Sequence, residues 1–204
     1  MRQAAGPFGL EAEGGRATRD SLEQVHADVR ECGLCPLGES RTHAVPGEGP
    51  AGAEVFFVGE APVEKEDLEG RPFVGNAGRV FNSLLPLAGL RREEVYVTGV
   101  VKCRPPGNRK PRASEMKACK GYLERQLDLV NPKVVVLLGG LAVADLLGGD
   151  RRLADIHGVP VKRGGTYYFP TYHPASAFYR DQLKSAMEED MRRLGRFLAE
   201  MDIH

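Results

Sequence analysis

The four cysteines of the chain form a single pattern, and this pattern restricts the possible folds more than any other feature. Cys32 and Cys35 make a C-x-x-C pair, and Cys103 and Cys119 follow much later in the sequence. No other cysteine is present, so one centre can use the whole set. Four thiolates around one centre are the ligands of structural zinc sites and of iron–sulfur clusters. Such a centre ties an N-terminal segment to a distant loop, which predicts an architectural role for either metal.

The spacing of the cysteines favours an iron–sulfur cluster over zinc. Zinc ribbons normally use two C-x-x-C pairs, whereas fifteen residues separate Cys103 from Cys119. A proline-rich loop and the start of a helix occupy that interval, and such wide spacing suits a larger centre such as [4Fe–4S]. Zinc, and four unrelated buried cysteines, remain the alternatives at this point.

Length and composition predict one globular domain without a membrane segment. The chain has 204 residues, of which 42% are hydrophobic and 27% charged, as in ordinary globular proteins. No apolar run is long enough to cross a bilayer. Residues 1–20 lack the apolar core of a signal peptide, and we interpret them as a flexible tail before a single domain at 21–204. A cytoplasmic location follows, where clustered cysteines bind metal more often than they form disulfides.

Charge is distributed unevenly although the formal net charge is zero. Residues 100–125 carry eight basic side chains against two acidic ones. The basic residues are Lys102, Arg104, Arg109, Lys110, Arg112, Lys117, Lys120 and Arg125. A basic face of this kind predicts contact with a polyanion such as DNA, and the alternative is a solvated charged surface.

Short apolar runs alternate with helical patterns along the chain. Strands are predicted at residues 55–58, 95–101, 134–138 and 167–172, and helices at 21–31, 80–90, 114–130, 140–147 and 183–201. Near-continuous apolar strands are typical of parallel sheets that are covered on both faces. The pattern predicts a three-layer α/β/α fold with a central, mainly parallel, four-stranded sheet.

Three segments that follow predicted strands contain most of the unusual residues. They are residues 59–78, interpreted as a long loop, residues 99–112 and residues 173–180. Ligands of parallel sheets bind outside the carboxyl ends of the strands. We therefore expect the three segments to meet at one edge of the sheet.

These segments resemble the motifs of the family 4 uracil-DNA glycosylases. The first motif is matched by Gly59-Glu60-Ala61-Pro62, Glu66-Asp67 and the run from Gly70 to Gly78; the second by Val101 to Pro106 with Asn108-Arg109; the third by Tyr172-His173-Pro174-Ala175. The four-cysteine spacing is also similar to that of the family's [4Fe–4S] cluster, which strengthens the iron–sulfur interpretation. The resemblance covers roughly residues 21–200, in consistent order.

The resemblance implies a monomeric, monofunctional DNA-repair glycosylase of the same three-layer fold. Such an enzyme extrudes a uracil nucleotide, or another deaminated one, and hydrolyses its N-glycosidic bond with water. The sugar becomes oxocarbenium-like and the departing base takes negative charge. The alternative is a DNA-binding iron–sulfur module of this fold with weak or lost glycosylase activity.

Three residues match catalytic positions of the family. The resemblance implies that Glu66 orients the water, that His173 hydrogen-bonds the carbonyl oxygen of the departing base, and that Asn108 supports the carboxylate. Without the resemblance, we would interpret Glu66 as a solvated acid in a loop, His173 as a structural residue and Asn108 as a turn residue.

Four further residues match the family's base pocket. The resemblance implies that the backbone at Glu60 and Ala61 reaches the base and that Phe73 stacks on it. The alternative for Phe73 is an ordinary core residue. Gly99 stands where the family usually has an asparagine that reads the edge of uracil. The loss of that amide predicts weaker selection for uracil, and a glycine at a strand end predicts extra space.

Two other features concern the loops around the pocket. Val63 replaces a family glycine, and because a β-branched side chain avoids positive φ, a different loop path is expected there. After the histidine motif, Phe178, Tyr179 or Arg180 is expected to wedge into the duplex in place of the flipped base.

Overall fold

The computed structural model describes residues 20–149 and 151–203, so the predicted tail lies almost wholly outside the described part of the chain. A central sheet has the strand order β2-β1-β3-β5-β4. Its strands are β1 (Val55–Gly59), β2 (Tyr96–Gly99), β3 (Val134–Leu138), β4 (Val161–Arg163) and β5 (Thr166–Thr171). The first four strands in that order pair in parallel, whereas β4 pairs antiparallel to β5.

The prediction of a mainly parallel sheet is confirmed, but its count of four strands is wrong. The additional strand, β4, has the sequence Val161-Lys162-Arg163 and lies at an edge with two of its three residues exposed. A single apolar residue leaves no hydrophobic pattern to detect. Charged residues are a common way to protect an exposed sheet edge from pairing with other chains.

Helices cover both faces of the sheet. They are α1 (Leu22–Glu31), α2 (Leu37–Ser40), α3 (Glu64–Glu69), α4 (Asn76–Leu84), α5 (Ala113–Val130), α6 (Gly140–Leu146), α7 (Leu153–Ile156) and α8 (Asp181–Glu200). Apolar residues of α5 and α6, with Leu22 of α1, belong to one buried cluster, and those of α4 and α8 to a second. Val25 and Val29 of α1 form a small third cluster with Ala44. Within the described residues, no helix is long and apolar enough to cross a membrane.

The central strands explain why the two larger clusters exist. In β1 the side chains of Phe56 and Val58 enter the cluster under α5, and those of Val55 and Phe57 enter the cluster under α8. Every residue of β1 and of β3 is buried. Since successive strand residues point to opposite faces, a continuous apolar run is what a doubly covered strand requires, and the three-layer prediction is confirmed.

The interpretation of residues 59–78 as one long loop is wrong. Helix α3 occupies Glu64–Glu69, and α4 begins at Asn76. Helix α3 is short and highly charged, so it shows no apolar period, and the glycines and prolines around it suggest a loop. Gly70 ends the helix in the left-handed conformation, at φ 67°, which is a common helix stop.

Candidate active site and cysteine centre

The three post-strand segments meet at one cavity at the carboxyl ends of the parallel strands. Six residues predicted for the site line this cavity: Glu60, Ala61, Glu66, Phe73, Gly99 and His173. They lie in the β1–α3 turn, in α3, in the α3–α4 loop, at the end of β2 and in the segment after β5. The expected convergence at one edge of the sheet is therefore observed.

Glu66 is buried in the first turn of α3, with 7% of its surface exposed. One carboxylate oxygen accepts a hydrogen bond of 3.0 Å from the backbone N–H of Val63, at the helix start. Burial raises the pKa of Glu66, while hydrogen bonds from the backbone of Val63 and Phe73 oppose that shift. The acid is thus a desolvated group held by the main chain, and the solvated-loop reading is wrong.

Val63 fits its position without strain. Its backbone has φ −104° and ψ −179°, an extended conformation that any residue adopts. The different loop path expected for valine stays a prediction. Its N–H is still the donor that holds Glu66.

His173 lies two residues after the end of β5 and lines the cavity. Its Nδ1 accepts a hydrogen bond of 3.2 Å from the backbone N–H of Ala175. A nitrogen that accepts carries no proton, so the neutral ring has its proton on Nε2. Burial lowers the pKa of His173 to about 4. The ring is therefore neutral at physiological pH, with Nε2–H as a donor.

Phe73 forms a wall of the cavity in a strained backbone conformation. Its φ of 54° lies in the left-handed region, which is uncommon for a bulky side chain. A Cβ at Gly59 would lie 2.9 Å from Cζ of Phe73, and a Cβ at Gly78 would overlap its carbonyl group. The ring centroid lies 4.8 Å from that of Phe81 and 5.8 Å from that of His173. Phe73 is therefore both a core residue and a cavity wall.

The space at Gly99 is limited by the main chain. A Cβ there would lie 2.9 Å from the carbonyl oxygen of Val101 and 3.4 Å from that of Glu60. A larger residue needs a local shift of the strand end, so the absent side chain does not simply add volume. Glu60 beside it is half-buried, and burial raises the pKa of its carboxyl group.

Asn108 lies in an adjoining cavity that shares Glu60, Ala61 and His173 with the first. Its side-chain oxygen accepts a hydrogen bond of 2.8 Å from Nε of Arg104. Its φ of 54° suits a turn asparagine. Among the described residues, no hydrogen bond joins it to Glu66, so its position matches the turn reading and leaves the supporting role as a prediction.

The segment after His173 exposes the candidates for the wedge. A 3₁₀ turn spans Pro174–Phe178, and Ala175 within it lines the cavity. Tyr179 is 84% exposed and Phe178 53% exposed, and Arg180 is exposed as well. The turn therefore directs two aromatic side chains into solvent next to the cavity.

The predicted basic face is smaller than the sequence suggests. Lys102 is buried, Arg109 pairs with Glu115 at 2.6 Å, and Arg125 pairs with Asp20 and Asp28 at 2.7 and 2.8 Å. The exposed remainder comprises Lys110, Arg112, Lys117 and Lys120, with Arg104 partly exposed.

The burial of Lys102 is a feature that the sequence does not reveal. Its Nζ donates to Oγ1 of Thr98, to the carbonyl oxygen of Gly99 and to Oε1 of Gln126. Burial lowers the pKa of Lys102 to about 8. Charged residues are rarely buried, and the only signal in the sequence is its place between a strand and a cysteine.

All four cysteines line one cavity on the α1 and α5 side of the sheet. Cys103 and Cys119 are buried, and Cys32 and Cys35 are partly exposed. Nη1 of Arg41 donates to Sγ of Cys103 at 3.0 Å, and the backbone N–H of Lys102 donates to Sγ of Cys119 at 3.3 Å.

The described residues contain no group of three His, Cys, Asp or Glu side chains close enough together to hold a single metal ion. The thiols surround a cavity instead of converging on one point. Four thiols that line one cavity, with N–H donors directed at two of the sulfurs, are a set of ligands that fits an iron–sulfur cluster.

Comparisons with known proteins agree with the geometry of the site. Residues 46–194 match the Uracil DNA glycosylase superfamily. The chain is 43% identical to the type-4 uracil-DNA glycosylase of Sulfurisphaera tokodaii, over 86% of this chain and 84% of that protein. It is 39% identical to the type-4 enzyme of Thermotoga maritima, over 89% and 97%. A type-5 uracil-DNA glycosylase of Pyrobaculum aerophilum is 36% identical over 64% and 65%. The chain belongs to the uracil-DNA glycosylase superfamily and, within it, to the type-4 family.

Proposed function

We propose that this protein is a monofunctional glycosylase that removes uracil, or another deaminated base, from DNA during repair. The observation that carries the proposal is one cavity that contains a desolvated acid, an imidazole N–H donor and an aromatic wall, namely Glu66, His173 and Phe73. Type-4 relatives at about 40% identity carry the same activity in their names. Uracil-DNA glycosylase activity is the function supported best.

Base selection begins with extrusion of the nucleotide into the cavity. A flipped base stacks on the ring of Phe73, and the main chain at Glu60 and Ala61 offers polar contacts to its edge. Aromatic stacking accepts any base, so hydrogen bonds must supply the choice. Because Gly99 offers no side-chain amide, we propose that selection for uracil is weaker here than in a chain with asparagine at that position.

His173 stabilises the departing base. Its Nε2–H is available because Nδ1 is occupied by the N–H of Ala175. A neutral donor directed at the carbonyl oxygen becomes more favourable as that oxygen gains negative charge. One such donor in a desolvated site lowers a barrier by about 3 kcal/mol.

Glu66 orients the attacking water and offsets positive charge on the sugar. The N–H of Val63 fixes one oxygen of the carboxylate, and each carboxylate oxygen has a further lone pair that can accept from water. No lysine is among the described residues that line the cavity. An amine nucleophile is therefore not available there, which supports hydrolysis in a single step rather than a covalent Schiff base.

The cysteine centre would hold a [4Fe–4S] cluster through Cys32, Cys35, Cys103 and Cys119. A cluster so bound supplies cross-links among α1, the loop after β2 and α5, and no step of the reaction needs it. Arg41 and the main chain at Lys102 would donate hydrogen bonds to the cluster sulfurs. The exposed basic residues between Arg104 and Lys120 would contact the DNA backbone.

The proposal is tested with oligonucleotides that contain uracil, hypoxanthine or xanthine. We expect abasic product from uracil DNA with wild-type protein, and none with Glu66→Ala at nearly unchanged DNA affinity. Glu64→Ala is the matched control, because Glu64 lies in the same helical turn but its side chain is 71% exposed. Binding without product from any lesion would favour a DNA-binding module instead. Full activity of Glu66→Ala would remove Glu66 from the proposed role.

A further inference from the structure

A buried amino group lies directly behind the base cavity. Nζ of Lys102 donates to Oγ1 of Thr98 at 2.6 Å, to the carbonyl oxygen of Gly99 at 2.8 Å and to Oε1 of Gln126 at 2.6 Å. Thr98 and Gly99 both line the cavity, whereas Lys102 does not. Lys102 therefore supports the residues that face the base without facing it itself.

The three hydrogen bonds match the charged form of this lysine. The carbonyl oxygens of Gly99 and Gln126 can only accept, and the hydroxyl of Thr98 donates elsewhere, to the carbonyl oxygen of Pro46 at 2.8 Å. Nε2 of Gln126 is also committed, to the same carbonyl at 2.7 Å and to the hydroxyl of Tyr96 at 3.0 Å. Three acceptors need three N–H donors, which an ammonium group has and a neutral amine does not.

This positive charge has no carboxylate partner within 4.0 Å in the described part of the chain. The negative groups that act on it are the thiols of Cys119 and Cys103 and the carboxylate of Asp145. A buried charge is costly unless hydrogen bonds and negative groups stabilise it. It persists here because three dipoles point at it, and its field extends into the low-dielectric cavity beyond Gly99.

We propose that Lys102 is a positioning residue of the glycosylase site, which fixes the end of β2 beneath the flipped base and opposes the negative charge that the base acquires. The inference rests on the proposed glycosylase function and deepens it. Because no side chain extends from Gly99, the position of its main chain sets the shape of that edge of the cavity. Nζ of Lys102 donates a hydrogen bond to the carbonyl oxygen of Gly99, which fixes that main chain, and another to the hydroxyl of the neighbouring Thr98.

The test replaces Lys102 by methionine, which has similar length but no charge. Single-turnover release of uracil should fall by roughly tenfold to a hundredfold, less than for a donor that touches the base itself. DNA affinity and the visible absorbance of the cluster should be retained. Lys133→Met is the matched control and should behave as wild type. Lys133 pairs with Glu54 at the amino ends of β3 and β1, whereas the cavity lies at the carboxyl ends of the strands.

A second substrate separates charge from simple loss of structure. In 5-fluorouracil the fluorine withdraws electrons, so the base leaves with less help from the protein. If Lys102 opposes the negative charge, the loss caused by Lys102→Met should be clearly smaller for 5-fluorouracil than for uracil. An equal loss for both bases, or no loss for either, would overturn the inference.

Lys102→Gln covers the case in which Lys102→Met does not fold. It removes the charge but keeps a side chain that can donate hydrogen bonds, so the same selective loss on uracil is expected at unchanged cluster absorbance. A rate equal to that of wild type would contradict the inference. Wild-type protein that releases neither base contradicts the proposed function itself, whereas an active wild type with equally active variants overturns the role of Lys102 alone.

Discussion

At the scale of single residues, Gly99 offers the most direct control of base selection. Gly99→Asn supplies an amide that can pair with the edge of uracil, so the ratio of uracil release to hypoxanthine release should rise. The new Cβ lies 2.9 Å from the carbonyl oxygen of Val101, so a lower melting temperature is expected as well. Competition assays on mixed lesion substrates measure the ratio.

Gly99→Ala is the control for that substitution. It introduces the same Cβ without the amide, so it should lose stability without any gain in selectivity. Equal selectivity in the two variants would show that the amide plays no part in the choice of base.

The pH dependence of stability reports on His173. Its pKa is about 4 in the folded protein against 6.5 for an ordinary histidine. Between these values the unfolded chain binds a proton that the folded protein does not, so stability should fall as the pH is lowered from 6.5 towards 4. Denaturant titrations across this range measure the slope, and His173→Asn should reduce it. A wild-type slope in that variant would assign the effect to other groups.

Lys102 shows that the type of a residue does not predict whether its side chain is buried. Its sequence neighbours suggest one member of a basic face, but in the fold Thr98 at the end of β2 and Gln126 of α5 supply buried acceptors. Glu66, in contrast, is identified by its match to a motif. The motif does not indicate that the residue is buried, because burial depends on how α3 packs.

At the scale of elements, the conformation of Phe73 depends on a glycine in the next helix. A Cβ at Gly78 would overlap the carbonyl group of Phe73. Gly78→Ala should therefore displace the α3–α4 loop, with a loss of stability of about 1–3 kcal/mol, and it should weaken uracil release. Chemical denaturation and the glycosylase assay measure the two effects.

Gly75→Ala in the same loop is the matched control. A Cβ there would meet Cβ of Lys65 at 3.8 Å, an ordinary contact, and the backbone φ is −82°. This variant should keep wild-type stability and activity. If both alanine variants behave alike, close approach at Gly78 is not what holds Phe73.

The elements differ in how well the sequence predicts them. Strands β1 and β3 are predicted nearly to the residue, because a short and continuous apolar run is typical of a strand that is covered on both faces. Helix α3 and strand β4 escape prediction, since neither has an apolar period. The start of α3 is stabilised by the hydrogen bond from the N–H of Val63 to Glu66, and the helix ends at Gly70. Strand β4 is stabilised by its pairing with β5.

At the scale of the whole molecule, the cysteine centre should stabilise the fold as a unit. Cys103→Ser removes one sulfur, and we expect loss of cluster absorbance and a lower melting temperature while the residual folded protein keeps its cavity. Iron and sulfide analysis of anaerobically purified protein measures the cluster. A variant with full iron content and unchanged stability would contradict the ligand assignment.

The count and spacing of the four cysteines predict that they belong to one centre. The spacing does not reveal the buried hydrogen-bond network between that centre and the base cavity. The network consists of Lys102, Thr98, Gln126 and the hydroxyl of Tyr96. This hydroxyl also contacts His26 of α1 at 2.7 Å. Buried polar networks of this kind depend on the final packing of several elements.

The separation of the cysteine pair from the later two has a consequence for biosynthesis. Cys32 and Cys35 leave the ribosome well before Cys103 and Cys119, which follow β1 and β2 in the chain. A cluster donor that meets the nascent polypeptide early finds only half of the sulfurs. Delivery of the proposed cluster would therefore come late, after translation has passed α5, and the partly exposed thiols of Cys32 and Cys35 would be open to oxidation until then.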